Sequence, residues 1–189
     1  MALTEETKQN TWKSDLYFWL QALVMVLVAL ILIFTFVGRI IVVDGISMEP
    51  TLYHGDLLLL QSVGYTPKQG DVVVLTKEFE DADGPIVKRV IATGGQHVVI
   101  DYDAGTVTVD GQVLDEPYIK EVMMQPPEES ITDILVPEGS IFVMEDNRNH
   151  SSDSRNVTLG AVDERYVLGQ ALWVFCPFQD FGAISNGEA

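Results

Sequence analysis

The sequence predicts a mainly β fold of antiparallel sheets, preceded by one N-terminal transmembrane helix. Three observations lead to this prediction: residues 16–38 contain no charged side chain, short runs rich in valine and isoleucine follow from residue 40, and turn residues separate those runs. β-Branched residues are enriched in strands, and no long stretch after residue 40 has helical periodicity. Apolar residues make up 47% of the chain, which is enough to form a buried core.

The uncharged stretch at residues 16–38 is long enough to cross a lipid bilayer as a helix. Such a helix extends about 34 Å, whereas the hydrocarbon core of a bilayer is about 30 Å thick. Tyr17 and Trp19 lie near one end, where aromatic rings favour the membrane interface. A cleavable signal peptide is the main alternative, but its apolar region is shorter and ends at small residues. We therefore expect an uncleaved anchor.

This anchor divides the chain into three expected segments. Residues 1–15 precede it, residues 16–38 form it, and residues 39–189 make a folded body. Lys8 and Lys13 favour a cytoplasmic N-terminus by the positive-inside rule. The expected localisation is therefore the cell membrane, crossed once, with the body on the extracytoplasmic side.

The body contains a series of short runs that are typical of strands. They lie at residues 57–60, 72–75, 86–91, 97–100, 106–109, 140–144 and 166–178. The pair Asp110-Gly111 stands between two alternating runs and predicts a hairpin. Residues 121–135 contain two adjacent prolines and several acids, which predicts an exposed loop or extension rather than a core strand.

Charge and cysteine content exclude several classes of protein. The chain has 11 Lys+Arg against 28 Asp+Glu, a net charge of −17, whereas a nucleic-acid-binding protein needs a basic face. Cys176 is the only cysteine, so an intramolecular disulfide and a cysteine-based metal cluster are excluded. Neither observation identifies a partner or an oligomeric state.

Ser47 is a candidate nucleophile in the segment that follows the anchor. Gly45 gives the backbone before it freedom to bend, and Pro50 restricts the backbone after it. Exposed backbone N–H groups in such a turn can form an oxyanion hole. An ordinary loop serine is the alternative. The pattern is neither G-x-S-x-G, because position 49 is glutamate, nor S-x-x-K, because position 50 is proline.

Lys88 is a candidate general base, because it interrupts an apolar strand. Strand alternation places Lys88 and Arg89 on opposite faces, so one of these cations is expected to face the interior. A buried lysine has a lowered pKa, which favours the neutral amine that a base requires. The alternative is a surface lysine with its ammonium in water. Other candidate bases are the three histidines, His54, His97 and His150.

A third cluster lies at residues 145–155 (EDNRNHSSDSR), directly after an apolar run. It is dense in hydrogen-bonding side chains. It forms either a solvated turn or a segment that orients a catalytic group and braces the fold through arginine–carboxylate pairs.

Together these segments resemble bacterial type I signal peptidases, the membrane-anchored serine proteases that remove signal peptides from exported preproteins. The resemblance covers about residues 15–177. It rests on the anchor, Ser47-Met-x-Pro50-Thr-Leu52, the strand at Asp71, Lys88-Arg89-Val90-Ile91 with Gly94-Gly95, and Asp146-Asn-Arg148-x-x-Ser151-x-Asp153-Ser154-Arg155 with Gly160.

The resemblance implies a role for each matching residue. Ser47 would be the nucleophile and a backbone oxyanion donor, Lys88 the general base, and Ser151 the residue that orients Lys88. Met48 would line the substrate site. Four residues would be structural: Arg89, Asp146, Asp153 and Arg155. The implied fold is an antiparallel β-sheet catalytic domain with a small β-rich cap at about residues 96–138, and the implied chemistry needs no cofactor and no metal.

Two positions depart from the family pattern. Some family members carry a serine two residues before the nucleophile as a second oxyanion donor, where this chain has Gly45. The common Gly-Asp-Asn-Arg reads Glu145-Asp-Asn-Arg here. If position 145 approaches the lysine, its carboxylate raises the lysine pKa and works against a neutral base.

The implied reaction is acyl transfer from a preprotein to Ser47, with cleavage after small residues. The implied partners are preproteins that carry signal peptides at the membrane surface, and the lipid bilayer; no nucleic acid is expected. One alternative is a Ser/His peptidase, although related endoplasmic-reticulum and archaeal peptidases have histidine where this chain has Lys88. Another is a catalytically weak or inactive membrane-anchored binding module of the same fold.

Overall fold

The computed structural model describes residues 2–36, 38–76, 84–124, 130–149 and 152–186. Internal contacts divide the chain into two compact units, Met1–Gly38 and Arg39–Ala189. The first unit is helical and the second is built from strands, which confirms the predicted mainly β class with one N-terminal apolar helix.

The first unit consists of helix α1, Ala2–Phe36. Its segment Trp12–Leu32 has a mean hydropathy of 2.2 and is 0% buried within the protein, so it is long and apolar enough to cross a membrane. The helix begins far upstream of residue 16, because glutamate, lysine and glutamine in the polar N-terminal residues are good helix formers.

The second unit contains a large antiparallel sheet of eight strands. In spatial order seven of them run β1-β2-β11-β3-β4-β9-β10, and β12 pairs with β11. Their bounds are β1 Gly38–Val42, β2 Leu57–Gln61, β3 Val72–Leu75, β4 Ile86–Thr93, β9 Ser140–Met144, β10 Val162–Asp163, β11 Val167–Cys176 and β12 Gly182–Ala183. A short 3₁₀ helix, Glu164–Tyr166, precedes β11.

A smaller antiparallel sheet has the order β7-β6-β5-β8. Its strands are β5 His97–Asp101, β6 Thr106–Val109, β7 Gln112–Val113 and β8 Asp133–Leu135. The predicted hairpin is confirmed, since Asp110 and Gly111 both have positive φ, 51° and 82°, between paired strands β6 and β7. The expectation of a loop throughout residues 121–135 is wrong at β8, because Ile134 pairs with Val98 and packs against the core.

The core explains why several strands have apolar residues at consecutive positions. Strand β3 is buried on both faces: Val72 and Val74 pack in one apolar cluster, while Val73 packs in another. A third cluster joins the two sheets through residues such as Phe142 and Val98. A strand covered on both sides does not need polar residues at alternate positions.

Strand β11 lies between β2 and β3, so its backbone is closely packed on both edges. We predict that Gly169→Ala destabilises the protein by about 1–3 kcal/mol, the usual cost of overpacking. A Cβ atom there would lie 2.5 Å from the backbone oxygen of Gln61, which cannot move without disturbing β2. The midpoint of urea unfolding measures the effect.

The matched control is Gly182→Ala in β12, where an added Cβ meets nothing within 4 Å. It should leave the midpoint nearly unchanged. Equal midpoints for the two variants would contradict the packing argument at Gly169.

Candidate active site

Ser47 lies in a turn that follows β1, and its side chain is half-buried. The turn is closed by backbone bonds from Glu49 N to the Ile46 oxygen and from Leu52 N to the Met48 oxygen, at 3.2 and 2.9 Å. Gly45 has a φ of 100°, a conformation that residues with a Cβ rarely adopt. The glycine therefore allows the chain to enter the turn.

The turn is attached to the core on two sides. Met48 and Leu52 are buried in the apolar cluster next to β2. On the other side, Asn147 holds the turn through two hydrogen bonds. Its backbone N donates to the Ser47 backbone oxygen at 2.9 Å, and its side-chain amide donates to the Ile46 backbone oxygen at 3.1 Å. The conformation around Ser47 thus depends on a residue a hundred positions away in the chain.

Lys88 lies in β4, opposite Val73 of β3, and is only 4% exposed. Its neighbour Arg89 is 0% exposed, so both cations are buried and neither is the surface residue considered above. The reason is the position of β4 between β3 and β9, with protein packed on both faces.

Burial lowers the pKa of Lys88 to about 8, which increases the fraction of neutral amine at neutral pH. The charge of Asp153 opposes this lowering and the charge of Arg155 adds to it. These two side chains are bound to each other, with Arg155 Nε donating to Asp153 Oδ1 at 2.8 Å and Nη2 to Oδ2 at 2.9 Å.

The Lys88 ammonium forms an ion pair with Glu145. Glu145 follows β9 directly and is 3% exposed, and its backbone N donates to Asp153 Oδ2 at 3.2 Å. Its second carboxylate oxygen, Oε2, has no hydrogen-bond partner among the described residues. Position 145 therefore does approach the lysine, which is the condition under which a carboxylate favours the protonated amine.

Ser47, Lys88 and Glu145 line the same pocket, which has a volume of about 690 Å³. Its walls come from the end of β1 and from the beginning of β4, and Met48 and Ser152 also line it. The structure thus brings together the candidate nucleophile, the candidate base and Glu145, the residue that differs from the family pattern.

Arg89 and Asp146 form a buried ion pair on the other face of β4. Arg89 Nε and Nη2 donate to the two carboxylate oxygens, each at 2.8 Å. Asp146 also accepts from the hydroxyl of Thr51, four residues after Ser47. Tyr118 lies against the guanidinium, with its ring centroid 4.0 Å from Cζ of Arg89.

Several residues that hold this region were not singled out by the sequence. Asn147 carries no signal beyond its place in the polar cluster, since its partners are backbone oxygens far away in the chain. Glu116 pairs with buried Arg148 from a stretch without a recognisable motif. Lys120 pairs with Glu49 at 2.7 Å and so joins the segment after β7 to the Ser47 turn.

The remaining candidate residues lie elsewhere. Ser151 and His150 fall outside the described residues. His54 is exposed and accepts a bond from Gly45 N at 3.2 Å, and His97 pairs with Asp133 in the small sheet. No histidine is among the described residues that line the pocket.

Comparison with known proteins gives a consistent set of relatives. The family model for signal peptidase, peptidase S26, matches residues 16–176. A signal peptidase I of Bacillus licheniformis is 34% identical over 187 residues, which cover 94% of this chain and 97% of the relative. A probable signal peptidase I-1 of Synechocystis sp. is 35% identical over 173 residues, which cover 87% of this chain and 84% of the relative.

A further relative and one solved structure are also similar to this chain. Signal peptidase I T of Bacillus subtilis is 33% identical over an alignment of 193 positions, which covers 94% of this chain and 97% of the relative. Among solved structures, a signal peptidase I from Enterococcus faecalis is 27% identical, covers 56% of this chain and 97% of its own, and has a TM-score of 0.44.

We predict that Asp146→Asn destabilises the protein by about 3–5 kcal/mol, because it leaves the charge of Arg89 buried without a counter-charge. Both side chains of this pair are 0% exposed, so water cannot compensate for the lost charge. The free energy of unfolding in urea measures the loss. Arg165→Gln, which breaks a pair whose arginine is 87% exposed, is the control and should change stability little. Similar losses in both variants would contradict a special role for the buried pair.

Proposed function

Because the chain belongs to the signal peptidase family, peptidase S26, we propose that Ser47 and Lys88 form a Ser/Lys dyad that cleaves signal peptides from preproteins. One observation carries the proposal: the two side chains line a single pocket, and the lysine is buried. A serine hydroxyl is a weak nucleophile unless an adjacent base removes its proton. Lys88 is the residue in the pocket whose lowered pKa suits that task.

The reaction proceeds by acyl transfer. The neutral Lys88 amine accepts the Ser47 hydroxyl proton while Ser47 Oγ attacks the scissile carbonyl carbon, and the backbone N–H of Ser47 donates to the resulting oxyanion. The carbon–nitrogen bond then breaks, and the lysine proton passes to the departing amine. Water then attacks the acyl-enzyme ester and gives one proton to Lys88. The bond between Ser47 Oγ and the acyl carbon breaks, Lys88 returns the proton to Oγ, and the signal peptide leaves with a new carboxyl group.

The other residues have supporting roles in this proposal. Ser151 orients the Lys88 amine, and Asn147 holds the backbone of the Ser47 turn through its two bonds to Ile46 and Ser47. Four charged residues brace the surroundings as two ion pairs: Arg89 with Asp146, and Arg155 with Asp153.

The pocket suggests how a substrate binds. Strand β1 is the first strand in the order of the large sheet, and residues 41–44 at its end line the pocket. An extended peptide can add to a sheet edge, with main-chain bonds providing affinity and side-chain pockets providing specificity. Met48 restricts the pocket beside the nucleophile, which suits the small residues that precede a signal-peptide cleavage site.

The apolar helix serves as a single-pass membrane anchor in this proposal. Its segment Trp12–Leu32 has the length and hydropathy of a membrane span. Lys8 and Lys13 favour an N-terminus on the cytoplasmic side, with the catalytic domain on the extracytoplasmic side. Preproteins are then the substrates at the membrane surface, and the bilayer is the second partner.

A binding module without catalysis is the second candidate. The ion pair between Lys88 and Glu145 favours it, because a protonated lysine cannot accept the proton of Ser47. The presence of Ser47 in the same pocket favours the peptidase, since a binding module needs no nucleophile there.

The Ser47→Ala variant tests the proposal directly. We expect the full-length chain in detergent to cleave a preprotein peptide, and the variant to fall to the background rate because the acyl-enzyme cannot form. Ser140→Ala, at the beginning of β9 and outside the pocket lining, is the matched control and should cleave normally. Equal rates for wild type and Ser47→Ala would refute the nucleophile, and binding without cleavage by the wild type would support the binding module.

The pH dependence tests the base. Because Lys88 acts only as the neutral amine, kcat/KM should rise with pH through a value of about 8 and be lost as the pH falls below it. Lys88→Ala should abolish cleavage over the whole pH range. Full activity of Lys88→Ala would exclude the dyad and would favour a histidine base instead.

A further inference from the structure

Glu145 is an unusual neighbour for a lysine that must lose its proton. The carboxylate contacts Nζ of Lys88, and both side chains are almost fully buried, at 4% and 5% side-chain exposure. Burying a charge is costly unless it is paired, so each of these groups stabilises the charged form of the other. Ser47 lines the same pocket, so this mutual stabilisation acts at the candidate base itself.

The other charged side chains around Lys88 do not make the buried, direct contact with its amine that Glu145 makes. Asp153 and Arg155 bind each other through two bonds and act on the lysine pKa in opposite directions, Asp153 raising it and Arg155 lowering it. Asp44 lies at the rim of the pocket, where its side chain is 96% exposed and therefore screened by water. Glu145 is the buried carboxylate in direct contact with the amine.

We propose that Glu145 is a positioning residue for the Ser47–Lys88 site: its carboxylate holds the Lys88 amine in the pocket and retains the amine's proton to a higher pH than burial alone would. This inference rests on the proposed function, in which Lys88 is the base. Deprotonation releases one proton to solvent and leaves the carboxylate facing a neutral amine. The carboxylate opposes that step and favours the reverse one.

The same contact has an opposite effect during the reaction. When Lys88 accepts the proton of Ser47, an ammonium forms beside Glu145 and is stabilised there. Glu145 therefore decreases the fraction of enzyme with a free base near neutral pH, while it increases the strength of the base once formed. Removal of the Glu145 charge should therefore lower both the pH at which activity appears and the maximal rate at high pH. Loss of a residue that only supports the fold would not produce these two changes together.

The Glu145→Gln variant tests the inference through the pH profile of kcat/KM for a preprotein peptide. Glutamine keeps the size of the side chain and removes its charge, so the acidic limb should move down by about one to three pH units. The maximal rate at high pH should decrease. Glu138→Gln, an exposed acid outside the pocket lining, is the control and should leave the profile unchanged. Glu145→Asp, which restores the charge, should move the limb back toward that of the wild type.

A second measurement separates this inference from the proposed function, because it requires no cleavage. The chain contains six lysines, so ε-¹³C-labelled lysine gives an NMR spectrum in which the Lys88 signal is assigned from its loss in Lys88→Arg. In a Ser47→Ala background, the Lys88 titration midpoint should be lower with Glu145→Gln than without it. An unchanged midpoint, or an unchanged acidic limb in a folded and active Glu145→Gln variant, overturns the inference. A shifted midpoint, together with a wild-type chain that does not cleave the preprotein peptide, refutes the dyad but supports the contact.

Discussion

The buried ion pair between Arg89 and Asp146 is the interaction on which the site depends. Arg89 donates to Asp146 through two nitrogens and to the Gly70 and Ser185 backbone oxygens, at 2.8 and 3.0 Å. It therefore joins β4 to the segment before β3 and to the C-terminal residues. Asp146 accepts from Thr51 and so extends the connection to the Ser47 turn. A fully buried pair of this kind holds its neighbours only while both charges are present.

Strand alternation gives this pair a consequence for the lysine. Lys88 and Arg89 are adjacent in β4, so their side chains lie on opposite faces. The anchoring of Arg89 to Asp146 on one face fixes the register of β4 beside β9, where Arg89 pairs with Met144. Lys88 is thereby directed to the other face. Because β4 and β9 are antiparallel and Arg89 lies opposite Met144, the next residue, Glu145, comes level with Lys88. Two consecutive residues on each segment thus form two buried ion pairs, Arg89 with Asp146 and Lys88 with Glu145.

Local sequence patterns were sufficient to predict the secondary-structure elements that depend mainly on neighbouring residues. The uncharged stretch predicted the helix, and Asp110-Gly111 predicted a hairpin that both positive φ values confirm. Burial of both Lys88 and Arg89 was not predictable, because alternation alone does not show that β4 is covered on both faces. Asn147 was missed for a similar reason: its function depends on backbone oxygens brought near by the fold. The contact of Glu145 with Lys88 was foreseen only as a condition, since side-chain proximity requires three-dimensional information.

The use of cations inside the protein changes the character of its outer surface. Among the described residues, four cationic side chains lie in buried pairs with acids, and the chain has seven further cations and twenty-four further acids outside those four pairs. A surface with this excess produces a negative potential whose reach is set by salt, about 8 Å at physiological ionic strength. The effect is kinetic: cationic segments of other molecules are attracted during diffusion, whereas anionic surfaces are repelled. Each buried pair is neutral, so the four pairs brace the fold without changing the excess of negative charge that produces this field.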